Sequence, residues 1–149
     1  MTRPRIGGLL VGLVATLALA TSVYATSPAP VTITVVDHVD GSANSFVSTG
    51  GLICAAGQVS NASSQFVGWQ NGSHAQILID KHFECDDGTF DVLLRVSLDF
   101  ETCDTVATWS VLSGTGAFAT LRGAGSLTGD SDCGDSILDV YTGSMHFDR

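Results

Sequence analysis

Residues Trp109–Gly129 run WSVLSGTGAFATLRGAGSLTG. Gly114, Gly116 and Ala119 have the spacing G-x-G-x-x-A, that of a turn cradling a dinucleotide phosphate. Such a turn needs a strand before it and a long helix after it, returning to a parallel strand. Gly116 is followed by AFATLRG, which leaves room for about two helical turns before Gly123. AGSLTG then reads as strand, so no β-α-β unit fits and a dinucleotide site is excluded. The glycines serve chain geometry instead. Gly114 and Gly116 turn the chain, Ala117 to Leu121 form a short plug, and Gly123 and Gly125 let the next strand bend.

Working outward, Phe90 to Phe100 (FDVLLRVSLDF) alternates. Phe90, Val92, Leu94, Val96, Leu98 and Phe100 share one face; Asp91, Arg95, Ser97 and Asp99 share the other, with Leu93 the exception. A period of two is a strand with one buried face. Val31 to Asp37 (VTITVVD), Leu52 to Ser60, Ala75 to Cys85, Asp104 to Ser113 and Ile137 to Phe147 also read as strands. Gly41 to Gly51 reads as loop, and Asn61 to Ser73 as a long loop that holds at most a short strand. No useful 3.6-residue period and no internal repeat follow the first residues. The reading is all-β, with seven or eight strands in a closed barrel or a sandwich.

The N-terminus sets the address. Arg3 and Arg5 precede an apolar run from Ile6 to Ala20, and Val23-Tyr24-Ala25 supplies small residues at a cleavage site after Ala25. Residues 1–25 therefore read as a secretory signal peptide; the apolar run is short for a spanning helix. Residues 26–30 read as a tether and 31–149 as a single domain. The mature chain keeps four Lys/Arg (Lys81, Arg95, Arg122, Arg149) against fifteen Asp/Glu, a net charge of −11. That charge argues against nucleic acid and anionic membrane surfaces as partners. Cys54, Cys85, Cys103 and Cys133 are an even set in an exported chain, which reads as two disulfides. No close cysteine pair is present, so zinc is disfavoured.

At this point the residues carry a resemblance. The run from Trp109 to Gly129 resembles the segment of allene oxide cyclase-like and dirigent-like barrels where a strand ends in G-T-G, an aromatic follows, and a small-residue turn leads into G-x-G. The upstream LRVSLDF and downstream DVYTG look like the flanking strands of small secreted bacterial members. The resemblance implies an antiparallel eight-stranded barrel of the calycin type with an interior cavity. Some members are cyclases or steer the cyclisation of apolar precursors. In such a barrel Cys54 and Cys85 fall near one end, and Cys103 and Cys133 near a common end, so Cys54–Cys85 and Cys103–Cys133 is the favoured pairing.

No hydrolase signature is present. His38, His74, His82 and His146 read as rim or surface residues. Asp130, Asp132 and Asp135 have calcium-like spacing, but Gly134 and Tyr141 break the loop pattern, and no metal is expected. Asn61-Ala-Ser63 and Asn71-Gly-Ser73 match the glycosylation sequon and are read as loop residues. Candidate cavity residues are Arg95 and Asp99, if their face points inward, together with the large aromatics Trp109 and Tyr141. The expected function is binding of a small apolar or amphipathic molecule, without a cofactor, by a secreted barrel. The rivals are a cofactor-free cyclase or isomerase and a structural module with no ligand. An oligomer stays open.

Overall fold

A computed structural model of the chain describes residues 26–38, 44–70, 72–131 and 133–149. The strands are β1 (Ala29–His38), β2 (Asn44–Thr49), β3 (Ala56–Gln70), β4 (His74–Cys85), β5 (Gly88–Asp99), β6 (Thr105–Gly114), β7 (Leu121–Asp130) and β8 (Ser136–Phe147). Each pairs antiparallel with the next, and β8 returns to β1, closing an eight-stranded barrel. Full closure leaves the sheet no free side edge at its waist.

The inner face follows the period of two. Val31, Ile33 and Val35 of β1, Val92, Leu94 and Val96 of β5, and Trp109, Leu127 and Tyr141 pack together with under a tenth of their surface exposed. One end of the barrel is filled by rings. Phe83 stacks on Phe90 at 4.8 Å and meets Phe46 at 5.1 Å and Tyr141 at 6.0 Å. Phe118, on the short 3-10 turn Gly116–Phe118, closes that end against Phe90 at 5.5 Å. Each such side chain contributes roughly 1.5–3 kcal/mol through burial. The short plug expected after Gly116 is therefore present.

The glycine stretch makes room for a ring. Gly125 of β7 and Gly143 of β8 face each other across the ladder. A Cβ on Gly143 would lie 2.6 Å from the Trp109 indole and 2.3 Å from the Ala124 carbonyl oxygen. The indole lies across this bare backbone and donates its Nε1–H to the carbonyls of Ser126 and Thr142, at 3.0 and 3.2 Å.

Two segments expected as loop are strands. Asn44–Thr49 within the first loop is β2, paired with both β1 and β3. The expected long loop at Asn61–Ser73 is largely the far half of β3, which forms a long hairpin with β4 through two irregularities. That half is solvated on both faces, so burial imposes no alternation on its sequence. The strand expected to start at Leu52 starts at Ala56. Ala29 and Pro30, expected in the tether, already pair with Met145 and Ser144.

Both disulfides have the expected pairing. Cys54–Cys85 (Cα–Cα 5.9 Å) ties the β2–β3 connection to the end of β4 at the ring-filled end. Cys103–Cys133 (Cα–Cα 5.2 Å) ties two connections at the opposite end. The pair indicates an oxidising, extracellular environment. Among the described residues no helix is long and apolar enough to cross a membrane.

Candidate functional site: a charged cavity inside one end of the barrel

The barrel end opposite the rings is different in kind. The inner face of β1 runs Val31, Ile33, Val35 and then Asp37; that of β4 runs Ile79, Lys81, Phe83; that of β8 runs Ile137, Asp139, Tyr141. Each strand thus turns one charge inward among apolar neighbours. Lys81 is only 1% exposed and Asp139 6%. Burying such groups unpaired is costly, so their partners matter.

Lys81 Nζ donates to Asp37 Oδ2. The other oxygen of Asp37 accepts from Asn44 Nδ2 at 2.5 Å, and Asn44 Oδ1 accepts from the His38 backbone N–H at 2.8 Å. That pair is internally balanced. Asp139 is not. Among the described residues its carboxylate accepts no hydrogen bond, and burial pushes its pKa up to about 6, with Lys81 opposing and Asp37 adding to the rise. Next along the strand face, the Tyr141 hydroxyl is buried and has no hydrogen-bond partner among the described residues. Burial, then the charges of Asp139 and Asp37, raise its pKa well above that of a free phenol.

Asp37, Lys81 and Asp139 line a cavity of about 50 Å³, with Thr105 beside them and Ile79, Leu94, Val96, Leu127 and Ile137 as its walls. Space of this order admits a small polar group or a few waters. It is far below the 300 Å³ and more of a cavity enclosing a whole drug-sized ligand.

The rim at this end is aromatic. Trp69 pairs across the ladder with Ala75, and Phe66 with Ile77, so both continue the inner face of the hairpin. Phe66 and Trp69 rings lie 5.3 Å apart, and Trp69 stacks on Phe100 at 5.2 Å. All three stay exposed, at 50%, 66% and 41%.

The four sequence candidates fall in three places. Trp109 and Tyr141 are interior, with rings 6.5 Å apart, inside the packed core. Arg95 and Asp99 lie on the outer face, because the apolar face of β5 turns inward. Arg95 borders a shallow groove with Gln76, Ser97 and Thr108. Asp99 pairs with His74 at 3.3 Å beside a second surface groove formed with Thr102 and Asp104. Asp37, Lys81 and Asp139 were missed by motif reading. Their signal was present: period-two alternation puts each on its strand's apolar face.

Elsewhere, His82, Asp91 and Ser113 meet on the outer surface. Both His82 Nδ1 (2.6 Å) and Ser113 Oγ (2.5 Å) bond to Asp91. Burial raises the Asp91 pKa, but these hydrogen bonds outweigh it and hold the carboxyl below its ordinary value. The serine bonds the acid rather than the imidazole, so this is no nucleophilic triad. Asp132, of the acidic turn, lies outside the described residues, as do residues 1–25, where the expected signal peptide falls.

Comparison with known proteins returned no matching family model, curated protein or solved structure. What the fold and the site define is a class: a small antiparallel eight-stranded barrel, stapled by two disulfides, filled with rings at one end and charged within at the other.

Proposed function

We propose that the mature chain is an exported bacterial barrel of the allene oxide cyclase-like kind that binds a small amphipathic molecule at its charged end. In this reading residues 1–25 are the export signal, cleaved after Ala25, and 31–149 carry the function. The observation that carries it is the cavity: three charged side chains inside an apolar barrel, at the end that bears an exposed aromatic rim. Apolar residues of similar volume often serve stability as well or better, so the buried charges favour a binding role. The polar head of a ligand would enter the cavity and its apolar body would lie along Phe66, Trp69 and Phe100.

A second reading, a cofactor-free cyclase or isomerase, is favoured by one observation. Asp139, with a pKa near 6, is an interior carboxyl able to exchange a proton, and the Tyr141 hydroxyl follows it along the inner face of β8.

Amide chemical shifts test the binding reading. Titration with a short-chain amphipath is expected to shift Ile79, Lys81, Ile137 and Asp139 together with the Trp69 indole. Shifts confined to the outer grooves around Arg95 or Asp99 would place the ligand elsewhere and refute it.

A further inference from the structure

The amphipath reading above leaves the head group unspecified, and the charge balance inside the barrel narrows it. Lys81 and Asp37 neutralise one another through their hydrogen-bonded pair. Asp139 then leaves the cavity with one uncompensated acid, 94% withdrawn from solvent and accepting no hydrogen bond among the described residues. An acceptor held this way wants a donor, and a charged donor satisfies it most fully. An anionic head would instead set three acids against one ammonium. The rim agrees: aromatic faces attract cations, and three exposed rings stand at this end. The whole chain carries a net charge of −9, which steers cations toward it. The cavity, about 50 Å³, suits a compact ammonium with its first carbons against Ile79 and Leu94.

We propose that the cavity takes the ammonium head of an amphipathic amine, held by Asp139, with the apolar body of the ligand on the rim of Phe66, Trp69 and Phe100. The inference rests on the amphipath reading, and the test separates the two. Octylammonium, 1-octanol and octanoate, below their micellar concentrations, are titrated by calorimetry into the disulfide-intact mature protein at pH 7.5. Octylammonium is expected to bind at least about tenfold tighter than octanol, and octanoate most weakly. Asp139→Asn is expected to bring octylammonium down to the affinity of octanol. Should that variant fail to fold, the native protein at pH 5 supplies the same contrast. The ionisable groups facing Asp139 are Asp37 of β1, Lys81 of β4 and Tyr141 of β8; β6 and β7 present Thr105 and Gly129. Protonating Asp139 should cost octylammonium about tenfold and leave octanol unchanged. Octanol or octanoate binding as tightly as octylammonium overturns the amine assignment while the amphipath reading survives. Failure of all three to bind overturns both.

Discussion

At the scale of single residues, Asp139 sits in an environment far from that of a carboxyl in water. Its pKa, raised from 3.8 to about 6 by burial, means that the folded state holds this proton more tightly than the unfolded state does. The stabilising contribution is complete below pH 4 and is lost as pH rises through 6. Asp139→Asn should therefore gain on the native protein across that window. Urea midpoints of both proteins at pH 4, 5, 6 and 7 check this, and a difference independent of pH would show that Asp139 titrates normally. Gly143 is constrained by space rather than charge. Gly143→Ala must displace both the Ala124 carbonyl and the Trp109 ring. The expected loss is about 1–3 kcal/mol, as for other overpacked cores, measured by the same unfolding curves.

At the scale of elements, legibility in the sequence tracked burial. β5 was readable because Phe90, Val92, Leu94 and Val96 are buried on one face while Asp91, Arg95 and Ser97 are not. β2 was not, because NSFVST offers only Phe46 as a deeply buried apolar residue. The far half of β3 was not, because neither of its faces is covered and its hydrogen bonds to β4 alone define it. The interior charges were legible in principle, through the parity of Asp37, Lys81 and Asp139, but which of them meet depends on barrel closure, a long-range fact. Arg95 and Asp99 had the reverse fate: polar residues on a strand draw notice, yet here they stand on the wet face. The staples belong to this scale as well. Cys103–Cys133 spans 30 residues in sequence. In the chain-entropy picture, replacing both cysteines by alanine should cost about 4 kcal/mol. Calorimetric or urea unfolding would show it, and a change under about 1 kcal/mol would mean that the connection between β7 and β8 is held by other contacts.

For the whole molecule, the barrel divides its interior between two tasks. The end bearing Phe83, Phe90 and Phe118 supplies apolar burial through packed rings. The opposite end spends that burial on Asp37, Lys81 and Asp139 around a small cavity, with exposed rings above it. On the proposed reading, the second arrangement receives a small head group. A native mass spectrum of the protein purified from its natural host is the sharpest check. The account predicts a reproducible added mass that leaves on denaturation and is absent or depleted in Asp139→Asn. A bare polypeptide carrying two disulfides, with no added mass from any preparation, would contradict it.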